Sequence, residues 1–269
     1  MYESFFGFKE APFNVTPDPR FVYFSRQHRE ALSALVYGVQ SRRGFIQITG
    51  GIGTGKTTLC RALLGQLGDK VHSALVFNPK LSEFEILQAI VEDFGIQPKG
   101  KRKKDYFDAL NAFLLAEIEK DYNAIVIIDE AQLLKPKALE QIRLISNLET
   151  ATQKLIQIIL VGQPEFREIL KRPDLEQLYQ RITIRYHLGP LTRQEAEEYI
   201  EHRIKIAGGD GDFFTAEAFD RIYDFSRGIP RLINVLADRA LMAAFSESKR
   251  AVDVDSVNYA REDLHGIQA

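Results

Sequence analysis

Residues 50–57 read Gly50-Gly51-Ile52-Gly53-Thr54-Gly55-Lys56-Thr57, which satisfies every fixed position of the pattern G-x-x-x-x-G-K-[ST]. Glycines at this density let successive backbone N–H groups turn toward one anion with no Cβ in the way. Lys56 would reach the β- and γ-phosphates of a nucleoside triphosphate, and the Thr57 hydroxyl would ligate Mg²⁺. The expected ligands are therefore ATP and Mg²⁺, with Gly50 through Thr57 and Thr58 as the binding set. A glycine-rich loop with an incidental lysine is the competing reading. It leaves unexplained why an apolar run, Phe45 to Thr49, leads in and a helical pattern, Thr58 to Leu67, leads out. A helix starting there presents its positive end to the same anion.

A second chemical pair is Asp129-Glu130, which directly follows the apolar run Ala124 to Ile128. A buried strand ending in carboxylates delivers them to the sheet edge where a parallel fold binds its ligand. Asp129 is expected to hold the metal through its water shell. Glu130 is expected to orient and polarise the attacking water as a general base. Alone, an apolar run ending in two acids also reads as a solvent-facing strand end; the phosphate loop upstream gives the pair its meaning.

Positioning these groups requires a parallel sheet. Five short apolar runs, Phe45 to Thr49, Ser73 to Phe77, Ala124 to Ile128, Leu155 to Val161 and Ile182 to Leu188, alternate with helical patterns. That alternation predicts an α/β domain with helices on both faces of the sheet. Ser82 with Glu85 forms a capping box that opens one such helix. The run Leu155 to Val161 is the natural candidate to lie between the phosphate-loop strand and the carboxylate strand. After Gly189-Pro190 the strand signal stops. Thr192 with Glu195 opens a helix to about Ile206, and further helical stretches cover Thr215 to Ser226, Ile229 to Phe245 and a segment from Asp253. The expected organisation is residues 1–44, an aromatic and proline-rich segment with a first helix packing on the ATPase domain; 45–190, the α/β domain; and 191–269, a small all-helical domain.

This layout resembles the AAA+ superfamily of P-loop NTPases, a three-layer parallel sheet with a C-terminal helical lid. More specifically, the chain resembles the general-secretion-pathway protein A (ExeA-type) ATPases. The matching pieces are Phe6-Gly7-Phe8, Pro12-Phe13, Thr16-Pro17-Asp18-Pro19-Arg20-Phe21, His28-Arg29-Glu30-Ala31-Leu32 and Asp129-Glu130-Ala131-Gln132. They continue through Leu144 to Glu149, Gly162-Gln163-Pro164-Glu165, Gln180-Arg181-Ile182 and Gly228-Ile229-Pro230-Arg231-Leu232-Ile233-Asn234. They run nearly end to end.

The resemblance implies three further roles. Gln163 is the sensor of the γ-phosphate, where AAA+ proteins more often carry asparagine or threonine. Arg181 is the arginine finger reaching a neighbouring subunit's ATP, with Arg185 and Arg172 as the alternatives. Arg231 is the lid arginine that touches phosphate on its own subunit; a cation at a helix start opposes the helix dipole unless it faces an anion. The aromatic N-terminal residues either line the adenine pocket, as the resemblance suggests, or simply pack. The resemblance also implies self-assembly into a ring or filament and service to membrane-associated export or pilus machinery. Relatives of that kind continue into a membrane span and a peptidoglycan-binding region. The chain ends at Ala269, as either a short member or the ATPase part of a longer protein.

Composition narrows the alternatives. With 35 basic and 37 acidic side chains, the net charge of −2 provides no global field for nucleic acid. The one dense basic run, Lys99-Gly100-Lys101-Arg102-Lys103-Lys104, is either a solvated loop or a local contact for DNA or acidic lipid. DNA handling of the transposition-regulator kind is thus the alternative role. No apolar run approaches the roughly 20 residues of a membrane span, and the N-terminus lacks the pattern of a signal peptide. The expected location is the cytoplasm, peripheral to the inner membrane. The single cysteine, Cys60, excludes an intrachain disulfide and reads as a small buried hydrophobe.

Overall fold

A computed structural model describes residues 1–14, 18–77 and 80–266 of the chain. Thr16 and Pro17 of the N-terminal motif therefore lie outside the described residues. The architecture is a five-stranded parallel sheet flanked by helices, with a helical C-terminal region.

The strands are β1 (Phe45–Gly50), β2 (Val71–Val76), β3 (Asn123–Ile128), β4 (Gln157–Gly162) and β5 (Ile182–Leu188). Helices α1 (Tyr2–Phe6) and α2 (Arg26–Gln40) precede the sheet. Between the strands run α3 (Lys56–Gln66), α4 (Glu83–Asp93), α5 (Lys103–Glu119), α6 (Pro136–Ile145), α7 (Glu165–Leu170) and α8 (Glu176–Arg181). The C-terminal region holds α9 (Arg193–Ile206), α10 (Ala216–Ser226), α11 (Pro230–Ser246) and α12 (Val254–Gly266). By contact density the chain forms two compact units: residues 28–52 with 59–188, and residues 1–27 with 53–58 and 189–269.

In the first unit the sheet order is β2-β3-β4-β1-β5, so β4 is inserted between the phosphate-loop strand and the carboxylate strand, as the sequence predicts. All six residues of β1, β3 and β4 are buried. Such strands are apolar along their length because helices cover both faces. One face packs Phe45, Val126, Ile128, Ile158 and Leu160 against Ile86, Ile90, Leu139 and Ile142 of α4 and α6. On the other, Asn123 Nδ2 donates to the Val39 carbonyl of α2 at 3.0 Å. The second strand begins two residues earlier than its apolar run suggests, and Phe77 falls outside it, 56% exposed. A strand at the sheet's edge is held from one side only, which leaves its ends poorly marked by hydrophobicity. Cys60 is buried on α3.

In the second unit, both capping boxes bear out the helix starts they predict, Ser82 for α4 in the first unit and Thr192 for α9 here. The sequence expectation for residues 1–44 needs correction. Tyr2, Phe6, Phe8, Phe13 and Phe21 share a core with Tyr199, Ile204, Phe214, Ile233 and Leu241 of the helical region, not with the sheet; only from His28 onward does the chain belong with the α/β unit. Polar anchors reinforce this placement. Arg203, buried on α9, donates from Nε to the Pro12 carbonyl at 2.6 Å and from Nη2 to that of Asn14 at 3.0 Å. Tyr2 donates its hydroxyl to Asp238 at 2.5 Å, and burial pushes both groups' pKa up. The aromatic count signals that this segment must be buried. It carries no information about which surface receives it.

Candidate nucleotide site

The phosphate loop follows β1 without interruption, and α3 begins at Lys56, so Lys56, Thr57 and Thr58 form its first turn. This is two residues earlier than the sequence reading and puts the lysine itself on the helix. Their N–H groups are among those a helix leaves without intrahelical partners. Gly53 and Gly55 adopt φ of +78° and +96°, conformations that a side chain resists. Thr54 and Lys56 are buried at 2% and 6% exposure, whereas the Ile52 side chain is 63% exposed and offers the site only its backbone.

Arg231 lies beside this loop. Pro230 is the first residue of α11, and the Arg231 N–H faces the Gly53 carbonyl at 3.4 Å. A Cβ on Gly53 would sit 2.7 Å from that of Arg231. The arginine is therefore held at a helix start against the glycine that shapes the loop, with its side chain exposed.

The carboxylates occupy the C-terminal end of β3. All five strands are parallel, so that end lies at the same sheet edge as the end of β1. Asp129 is buried, its backbone N–H donates to the Val76 carbonyl at 3.0 Å, and its Oδ1 accepts the Glu130 N–H at 2.8 Å. Glu130 takes a left-handed backbone, φ 54° and ψ 38°, which costs a non-glycine residue of order 1–2 kcal/mol. That turn swings its side chain back toward β4. There Oε2 accepts two amide hydrogen bonds, from Gln132 Nε2 at 2.5 Å and from Gln163 Nε2 at 3.2 Å. Gln132 closes the ring by accepting the Gln163 backbone N–H at 3.0 Å. Oε1 of Glu130 has no protein donor among the described residues.

The structure thus unites Glu130 with Gln163 and adds Gln132, to which the sequence reading gave no role. Its signal was present in Asp129-Glu130-Ala131-Gln132, an amide two residues past an acid. Arg181 sits elsewhere, at the end of α8. Its Nη1 bonds Asn147 Oδ1 and lies 3.4 Å from Ser146 Oγ. Arg172 is paired with Asp174 at 3.0 Å, and the Arg185 guanidinium lies 4.1 Å over the Tyr179 ring.

Thr57 and Asp129 offer hard oxygen donors, the kind Mg²⁺ selects. Among the described residues no group of three or more His, Cys, Asp or Glu could hold a metal by itself. No helix among the described residues is long and apolar enough to cross a membrane.

An AAA domain family matches residues 39–170. Over its whole length the chain is 43% identical to general secretion pathway protein A of Aeromonas hydrophila, and it spans about half (49%) of that relative. The Aeropyrum pernix ORC2 protein, solved as ADPNP–ADP complexes, shares the fold with a TM-score of 0.68 at 21% identity, over 94% of this chain and 71% of its own. Drosophila ORC bound to DNA matches with a TM-score of 0.72 at 14% identity, over 96% and 64% of the respective chains.

Proposed function

The chain belongs to the AAA+ ATPases of the general secretion pathway protein A family, and from that premise we propose that it binds ATP with Mg²⁺ and hydrolyses it to drive or regulate an envelope export or pilus-assembly system. The observation that carries hydrolysis, beyond binding, is the Glu130 corner. Two amides fix one carboxylate oxygen and leave the other to take a proton from water, the geometry a general base requires. Backbone N–H groups of residues 50–57 bind the phosphates, Lys56 neutralises the outer ones, and Thr57 with Asp129 hold the metal. When bound, Mg²⁺ offsets charge that develops on the phosphate oxygens. Gln163, bonded to the base, senses the γ-phosphate, and Arg231 reaches the phosphates from α11.

Replacing Lys56 tests this reading. Lys56→Ala should abolish binding of a labelled ATP analogue in a fluorescence titration; unchanged affinity would sink the phosphate-loop assignment.

The active form is an oligomer, ring or filament, at the cytoplasmic face of the inner membrane. Arg181 is the finger because its hydrogen-bond partners are neutral oxygens, whereas Arg172 spends its charge on a carboxylate and Arg185 on a ring. A finger supplied in trans can contribute roughly 10³–10⁵-fold to the rate. Arg181→Ala should therefore lose the rise of specific ATPase activity with protein concentration, and its persistence would move the role to Arg172 or Arg185.

DNA handling is the weaker reading. Within the basic run Arg102 pairs with Asp105 at 3.1 Å and Lys103 faces Glu83 at 3.7 Å, so two of its five cations are already engaged at the start of α5.

A further inference from the structure

A cavity of about 130 Å³ opens in the α/β unit where β1 and β5 meet α7 and α8. Arg167, Lys171, Arg185 and His187 line it over a floor that includes Gln47 and Thr49; no carboxylate lines it, and none of its residues belongs to the phosphate loop. Strand register explains the clustering. Gln47 of β1 sits beside Arg185 of β5, and Thr49 beside His187. Side chains two apart on a strand share a face, so one amide, one hydroxyl, one guanidinium and one imidazole are delivered to the same side. The Thr49 Oγ1 to His187 Nδ1 distance is 3.1 Å.

Two features set this cavity apart from a merely basic surface. The first is Gln47, 3% exposed, whose Nε2 has no hydrogen-bond partner among the described residues. Native proteins seldom leave a buried amide donor unsatisfied, and such a group calls for a ligand, ion or water that completes it. Leucine would fill the same space on a buried strand without that cost. The second is uncompensated charge. Arg167 has no ion pair among the described residues. Arg185 stacks on Tyr179 and donates to its carbonyl at 2.6 Å, with no carboxylate partner among the described residues. Lys171 is paired with Glu168 at 2.8 Å on the exposed rim.

We propose that this cavity is a second anion site, one that takes a phosphate group. Forked guanidinium donors with a buried amide and a hydroxyl match a tetrahedral oxyanion. The cavity has room for one such group. Neither the charge nor the orphaned amide depends on the nucleotide reading.

The test is a ³¹P NMR titration of inorganic phosphate into the chain saturated with Mg²⁺–ADP, which occupies the phosphate loop. One phosphate should bind saturably. Gln47→Leu and Arg167→Ala should each weaken it about tenfold or more, the loss expected for one charge-assisted hydrogen bond, with ADP affinity unchanged. Arg167 is exposed, so its variant stays informative should Gln47→Leu fail to fold. No saturable phosphate, or equal affinity in both variants, would overturn the site. Flotation with phosphatidylcholine vesicles, with and without phosphatidic acid, separates the sources. Flotation that needs phosphatidic acid and is lost in Arg167→Ala identifies a lipid headgroup; phosphate binding without flotation identifies the free anion.

Discussion

On the proposed reading, the phosphate loop and the Glu130 corner serve one reaction with opposite materials. From Gly50 to Gly55 the working groups are backbone N–H donors, and side chains matter chiefly by their absence; Ile52 even points its own into solvent. At Glu130 everything is side chain: two amides on one carboxylate oxygen, with a backbone turn spent on aiming it. A site made of main chain is specified by where glycine must stand, and the requirement is local. A site made of amides is specified by which strands are neighbours, and that is set by the whole sheet.

The two regions should therefore fail differently. Glu130→Gln is isosteric and keeps both strands in place, so it should leave ATP affinity within about twofold and lower kcat by roughly 10²–10⁴-fold, the usual contribution of a positioned base. Single-turnover hydrolysis alongside a binding titration would show this. Near-normal turnover would remove Glu130 as base and merge the two regions into one binding site.

The opposite failure is expected at Gly53. Gly53→Ala keeps every side chain of the reaction but places a methyl group 2.7 Å from the Arg231 Cβ, at φ +78°. The combined strain and displacement, of order 1–3 kcal/mol, should weaken ATP binding by about 10- to 100-fold, while kcat at saturation changes less. If kcat fell and affinity held, the loop would be part of the chemistry and the division drawn here would be wrong.

That division also explains what the sequence made legible. The loop's place between a strand and a helix could be read outright, because an apolar run leads into its glycines and a helical pattern leads out. The sheet could be read through the fully buried runs of β1, β3 and β4, and the inserted position of β4 matches the candidate named for it within a layout that rested on resemblance. Residues 1–27 were misplaced because eight aromatic residues between Tyr2 and Phe24 demand burial without naming the surface; the helical unit supplies it through Arg203 and Asp238. Gln132 went unassigned for a related reason. An amide two residues past an acid has no periodicity, and it becomes a partner only because Glu130 adopts a left-handed backbone and β4 lies beside β3. Gln163 was placed by resemblance, and its bond to Glu130 was not foreseen.

Gln132 provides the finest test of the contrast. It gives Glu130 the shorter of its two amide bonds and simultaneously accepts the Gln163 backbone N–H, so it links the proposed sensor to the proposed base. Gln132→Leu removes both bonds while keeping most of the bulk. Loss of a hydrogen bond to a charged group is worth roughly 1.5–3 kcal/mol, but Gln163 Nε2 still holds Oε2, so the expected loss is nearer the lower figure, about tenfold in kcat. ATP affinity should stay within about twofold, since the loop binds through its own backbone. Gln163→Leu and the double variant complete a mutant cycle. If the two residues act through the same carboxylate oxygen, the double variant should lose less, or more, than the product of the single losses. Strict multiplicativity would mean that the amides work independently, and that the corner is no more cooperative than the loop.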